Sequence, residues 1–168
     1  MKFVVDGMLG GLAKWLRMLG HTVDYDTDTA DNLLLEKASM NQMILLTRDE
    51  ELCRRAVAKR IPCLSVRGVT EAERLAEVSK RFNISLEIDT VETKCPACGG
   101  DLHQASRSEV LGRIPDKSFE LYDKFWVCDT AGCGKVYWRG GHWRQIQNTL
   151  EKAKLLANTD HRPYEEKC

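Results

Sequence analysis

A chain of 168 residues makes one ordinary domain, or a small domain with a minidomain. Hydrophobic residues make up 43 % and charged residues 30 %, which excludes a disordered, collagen-like or coiled-coil chain. Lys plus Arg equals Asp plus Glu at 25 each, so the chain is not a globally basic nucleic-acid binder, and any basic patch must be local.

Residues 1–90 alternate in type. Phe3-Val4-Val5 is a short apolar run ended by Asp6-Gly7, a predicted strand. Leu9, Leu12, Ala13 and Leu16 follow at helical spacing, with Gly20 closing the helix. Thr22 to Asp26 alternates as a second strand, and Leu34, Leu35 and Ala38 mark a second helix capped by Thr29 or Asp31. Met43 to Leu46 suits a buried parallel strand. Asp49 to Lys59 reads as a helix with acids first and cations last, Pro62 to Val66 as a strand, and Thr70 to Phe82 as a further helix. Such alternation predicts a parallel α/β sheet flanked by helices.

The pattern changes beyond Asp89. Cys95-x2-Cys98 and Cys128-x4-Cys133, with glycines beside them, flank a segment without strong helical period. Ile146, Leu150, Ala153 and Ala157 then give one apolar helical stripe, and from Asn158 the tail is polar and expected to be loose. The predicted organisation is 1–90, 91–145 and 146–168: α/β sheet domain, ribbon, and terminal helix with tail. Seven cysteines cannot all pair. Cys53 and Cys63 lie in apolar stretches, and the usage as a whole predicts a reducing compartment with a metal site. No apolar run reaches the roughly 18 residues of a membrane span, and the start meets Asp6 too soon for a signal peptide. A cytoplasmic protein is expected.

Three acids stand where a parallel sheet places its chemistry. Asp6 ends the first strand, Asp31 opens the second helix, and Asp49 follows the third strand after Thr47-Arg48. Each suits a cap or turn when taken alone. Together, converging carboxylates repel unless a cation sits among them, and hard Mg²⁺ or Mn²⁺ is the natural choice. Such an ion can activate water and stabilise the leaving oxygen of a phosphodiester. Glu51 could supply a fourth carboxylate, and Asp24, Asp26 and Asp28 crowd the same region. Lys14, Arg17 and Arg48 are candidates for a nucleic-acid backbone nearby.

Two tight hairpins with two cysteines each are what tetrahedral zinc requires, so Cys95, Cys98, Cys128 and Cys133 are the predicted structural zinc ligands. The 29 residues between Cys98 and Cys128 are long enough for the strands of a ribbon. Lys135 to Arg144 follows with no acid. Its Lys135, Arg139 and Arg144 can meet phosphates while Tyr137, Trp138 and Trp143 stack on unpaired bases. The tryptophans can equally pack the ribbon's small core.

Lys2 to Gly10, then Leu12-Ala13-Lys14-Trp15-Leu16-Arg17-Met18-Leu19-Gly20, resembles the Mut-seven C-terminal RNase family. So do Leu46-Thr47-Arg48-Asp49-Glu50-Glu51-Leu52 and the run from Phe125 through Gly140. The resemblance extends from residue 2 to about 145. It implies a PIN-like nuclease fold followed by a zinc ribbon. It matches Asp6, Asp31 and Asp49 to the family's acids, with Glu51 where relatives hold a further one. Departures are the four-residue spacing of the second knuckle, Met43 in place of a basic residue, and Glu73-Arg74-Leu75 in place of Gln-Leu. The expected protein is a ribonuclease using Mg²⁺ or Mn²⁺, with the ribbon gripping single-stranded RNA or exposed bases of structured RNA. Its rivals are a non-catalytic RNA- or ribosome-associated module and a redox protein built on the cysteines.

Overall fold

The structure is a computed structural model and describes residues 1–159; the rest of the expected tail, 160–168, lies outside the described residues. Four parallel strands form the main sheet: β1 (Lys2–Val5), β2 (Thr22–Tyr25), β3 (Ile44–Thr47) and β4 (Cys63–Ser65), in the order β2-β1-β3-β4. The register sets Val5 opposite Leu46 and Leu46 opposite Leu64. Helices α1 (Gly10–Met18), α2 (Asp31–Met40), α3 (Glu50–Ala58) and α4 (Glu71–Phe82) alternate with the strands, and a 3-10 turn at Gly7–Leu9 precedes α1.

Side chains of β1 alternate across the sheet. Phe3 and Val5 pack with Leu12, Leu16, Leu75 and Val78, so α1 and α4 cover one face. Val4 and Leu45 pack with Leu34, Leu35, Leu52 and Ala56, so α2 and α3 cover the other. This double cover explains the continuous apolar run of β3. Thr70 and Glu73 form a capping box at α4: the Glu73 N–H meets the Thr70 hydroxyl at 3.3 Å, and the Thr70 N–H meets the Glu73 carboxylate at 2.9 Å. Arg74 donates to the Gly68 carbonyl at 2.9 Å. The Glu73-Arg74 departure thus builds the entry to α4.

Two expectations change here. Helix α2 is preceded by Ala30, which has no capping side chain; Asp31 is its first helical residue. Cys53 and Cys63, which the sequence gives no reason to pair, are joined in a disulfide with a Cα–Cα distance of 5.7 Å. Helix α3 folds back along β4 and brings them side by side.

The second sheet is antiparallel: β5 (Leu102–Ala105), β6 (Phe125–Cys128) and β7 (Val136–Trp138), in that order. Between β5 and β6 lie two short helices, α5 (Arg107–Val110) and α6 (Asp116–Leu121), in the segment whose sequence shows no strong helical period. They are too short to show a period. Val110, Ile114 and Phe119 close a small core with Phe125, Val127 and Trp138. Arg107 stacks on Phe119 at 4.1 Å and donates to the Phe119 and Tyr122 carbonyls, which locks the insertion.

Helix α7 (Trp143–Thr159) carries the expected apolar stripe and returns to the first domain. Leu150 and Ala153 pack into the core that holds Leu75 and Val78. No helix among the described residues is long and apolar enough to cross a membrane.

His21 lies at the amino ends of the strands, in contact with the Phe3 ring. Burial first, and then the charge of the Met1 amino group, hold its imidazole down to about 4. The folded ring is neutral where an unfolded one, at about 6.5, would take a proton. The unfolded state therefore binds more protons below about pH 6.5, and stability falls as pH drops from there toward about 4. Allowing for the ring's partial exposure, His21→Gln is expected to remove about 1–2 kcal/mol of the loss between about pH 7 and 4.5. Urea titrations at the two pH values check this; parallel losses in both proteins would clear His21 of the effect.

Candidate active site and metal centre

Strand order places β2 on one side of β1 and β3 on the other, so the winding of the sheet reverses between β1 and β3. In open parallel sheets the crevice at the carboxyl ends of such strands is where ligands bind. Asp6 follows β1 there, and Thr47 ends β3 directly beside it, with the Asp6 N–H on the Leu46 carbonyl at 3.0 Å. Thr47 is fully buried. Its hydroxyl donates to Asp6 Oδ2 at 2.7 Å and accepts from the Asp49 N–H at 2.9 Å. One buried hydroxyl thus ties the two acids together. The Thr47 position in the Thr-Arg-Asp run is the signal that could have marked it.

Asp49 also caps α3, accepting from the N–H groups of Glu51 at 2.7 Å and Leu52 at 3.1 Å. Its carboxylate is exposed while its cap bonds hold it still. Gly7, next to Asp6, lets the Asp26–Thr29 loop pack against the main chain: a Cβ there would stand 2.6 Å from the Thr27 carbonyl oxygen. Asp26 folds that loop by accepting from the Asp28 N–H at 3.3 Å and the Thr29 hydroxyl at 3.2 Å.

The other candidates fall differently. Asp31 is exposed and pairs with Arg55 of α3 at 3.1 Å. Glu51 pairs with Arg54 at 2.8 Å on the helix surface. Lys14 and Arg48 are exposed. Arg17, a candidate for an RNA backbone, is instead 5 % exposed and structural. Its guanidinium donates to the carbonyls of Pro96 (3.3 Å), Ala97 (3.1 Å) and Val23 (3.2 Å). It is the bolt between α1 and the first cysteine knuckle. Helical spacing put Arg17 on a polar face of α1, and only the docked knuckle turns that face inward.

The four cysteines converge. Cys95, Cys98, Cys128 and Cys133 have their sulfurs within 4.8 Å of one another, with Cys95–Cys133 at 3.8 Å and Cys98–Cys128 at 3.4 Å. A tetrahedron with metal–sulfur bonds of about 2.3 Å spaces its sulfurs by about 3.8 Å, so the cluster fits one zinc ion. Among the described residues no other group of three or more His, Cys, Asp or Glu is drawn together in this way; Asp6, Asp31 and Asp49 are not. The Gly100 N–H, 3.5 Å from Cys98 Sγ, brings that thiol down to about 6, toward the thiolate a metal needs. Burial pushes Cys128 up, to about 12. The Tyr137 hydroxyl lies 3.1 Å from Cys95 Sγ, and burial keeps its proton on, so it can donate to that sulfur once a metal holds it as a thiolate.

Sequence reasoning missed His103, which bridges Asp129 at 2.6 Å and Glu109 at 2.8 Å and ties β5 and α5 to the residue after Cys128. Those two carboxylates, Asp129 first, raise its pKa.

Of the ribbon's proposed RNA contacts, Trp138 is part of the ribbon core, while Lys135, Arg139 and Arg144 are exposed. Tyr137, Trp138, Arg139 and Trp143 line one cleft together with Trp126.

Compared with known proteins, residues 1–150 match the family model described as the Mut7-C RNAse domain. No curated protein and no solved structure matches the chain.

Proposed function

The chain belongs to the Mut7-C RNAse domain family, and on that premise we propose that it is a metal-dependent ribonuclease acting at the carboxyl end of the β1–β3 crevice. The observation that carries this reading is the Asp6–Thr47–Asp49 link. It ties the Asp6 carboxylate to the main chain of Asp49 at the one place where a parallel sheet of this order offers a ligand site. All-oxygen donors of this kind fit Mg²⁺ or Mn²⁺, with Asp6, Asp31 and Asp49 as the protein ligands. The bound ion supplies an activated water and positive charge for the leaving 3′-oxygen of the phosphodiester.

The chain's own residues prepare that site. Thr47 fixes Oδ2 of Asp6 by donating to it, which leaves Oδ1 for the crevice. Asp49 is held by its cap bonds, and the exposed Arg48 beside it would meet a phosphate. Arg55 neutralises Asp31 until a stronger cation takes its place. The zinc ribbon holds the RNA strand through Lys135, Arg139 and Arg144 and the tryptophan cleft.

The test is cleavage of labelled single-stranded RNA by the zinc-loaded protein with Mn²⁺ or with EDTA, beside Asp6→Asn. Products with 5′-phosphates, formed with Mn²⁺ and by the wild type alone, are expected. The pairing of Asp31 with Arg55 favours a second reading, a non-catalytic RNA- or ribosome-associated module. Binding of RNA without cleavage under any divalent ion would put that reading in front.

A further inference from the structure

The tryptophan cleft lies apart from the acids. It holds about 110 Å³, stands half open to solvent, and is lined almost wholly by apolar atoms. Its walls include Met18 of α1, Pro96 of the first knuckle, Trp126 of β6, Trp138 of β7 and Trp143 of α7. The Arg139 guanidinium lies over the Trp143 ring at 4.5 Å and faces Trp126 at 6.0 Å. A flat, delocalised group is already seated on the ring face. Among the described residues that guanidinium makes no hydrogen bond or ion pair, so all of its donors are free for a phosphate. Lys135 and Arg144 flank it in a stretch without an acid.

Position matters as much as chemistry. Helix α1 starts beside Tyr25, at the carboxyl end of β2, where Gly10 meets the Tyr25 hydroxyl. It ends at Met18, where the chain turns into the amino end of β2 and where the Met18 carbonyl accepts from Thr93 at 2.9 Å. Nine residues at about 1.5 Å each separate the acid mouth from the cleft by about 13 Å.

We propose that the cleft anchors one unpaired nucleobase of an RNA strand, remote from the acids, and that this anchor sets a minimum strand length. The base stacks among Trp126, Trp138 and Trp143, and the Arg139 guanidinium stays against its face and reaches the adjoining phosphate. An aromatic wall that carries Arg139, on a stretch from Lys135 to Arg144 with three cations and no acid, matches a phosphodiester strand. At the stacked spacing of about 3.4 Å per nucleotide, about four nucleotides bridge the cleft and the acid mouth. The length requirement rests on the ribonuclease reading; the base-binding site does not.

The experiment uses zinc-loaded protein without Mn²⁺ and measures its affinity for a labelled single strand of about 12 nucleotides and for the matching duplex. Arg139→Ala, an exposed residue, and Trp143→Leu are compared with wild type after zinc content and thermal melts confirm folding. Loss of one stacked base accounts for roughly 5- to 150-fold in affinity, so each variant is expected to bind the single strand about tenfold or more weakly. The duplex is expected to bind poorly to all three. Single-strand affinity unchanged in folded variants, or a duplex bound as tightly as the single strand, would overturn the anchor. Unchanged RNA affinity with binding of an acidic peptide would reassign the cleft to a protein partner. With Mn²⁺ added, wild-type kcat/KM is expected to rise steeply between about three and about seven nucleotides, and Arg139→Ala to flatten the rise. A flat wild-type profile overturns the length requirement. Absence of all cleavage with intact tenfold binding losses sinks the ribonuclease reading and leaves the anchor standing.

Discussion

Asp49→Asn is expected to lose RNA cleavage and most of the stabilisation that Mn²⁺ gives the wild type, while its stability without metal stays level or rises. The asparagine oxygen still accepts from the Glu51 and Leu52 N–H groups, and Asn caps helices about as well as Asp. The Thr47 hydroxyl still accepts from the residue-49 N–H, a main-chain bond that does not see the substitution. What disappears is one negative charge at the carboxyl-end crevice, which a bound cation needs and the apo protein does not. Wild type in Mn²⁺ at about a hundred times its dissociation constant should gain about 2.7 kcal/mol by mass action. Asp49→Ala gives the control: it loses the cap as well as the charge, so it should lie about 1 kcal/mol below Asp49→Asn with or without the ion. Thermal melts of the three proteins with and without Mn²⁺ decide the matter. Equal gains from Mn²⁺ in all of them would show that Asp49 is a helix cap and nothing more.

The alternation of the first domain was legible because each β-strand is a short apolar run, and each helix carries its buried stripe at a spacing of three to four. Asp6 and Asp49 could be singled out for the same reason: strand ends in a parallel sheet are predictable places. Asp31 was legible as a helix start. Its partner was not, because Arg55 approaches from α3 and that contact depends on how two helices lie side by side on the sheet. Thr47 escaped notice because a threonine at a strand end is usual; its two bonds exist only once β1 and β3 pair.

The cysteine knuckles were legible from spacing, and the structure brings all four sulfurs together despite the longer second knuckle. The insertion between them was not. Its helices are short and held by Arg107 and Arg113, the latter donating to the Gly134 carbonyl at 2.6 Å, rather than by an apolar period of their own. Arg17 is the clearest misreading. A cation on a helix face normally meets water, and nothing within residues 10–18 reveals that the Cys95 knuckle will cover it.

That buried arginine couples the four-cysteine cluster to the first domain's stability, and removing the zinc that the cluster fits is expected to loosen the α/β core as well as the ribbon. Two of the three carbonyls that satisfy Arg17 belong to Pro96 and Ala97, inside the first knuckle. The backbone joins in, with the Lys94 N–H on the Arg17 carbonyl at 2.9 Å. If the knuckle comes apart, the guanidinium keeps only the Val23 carbonyl, and a poorly satisfied buried cation costs about 2–4 kcal/mol. For a chain of this size that lowers the melting temperature by roughly 5–15 °C. The measurement is hydrogen exchange of the β1 and β3 amides, which report on the α/β core and not on the ribbon. Cys95→Ser and chelated wild type should both lose protection there. Arg17→Met separates this coupling from general loosening. It removes the cation that needs the knuckle, so zinc removal should cost the β1 and β3 amides much less in Arg17→Met than in wild type, a difference read as a double-mutant cycle. Protection of β1 and β3 that is indifferent to zinc in the wild type would mean that the ribbon merely rests against the domain, and that Arg17 finds water when the knuckle leaves.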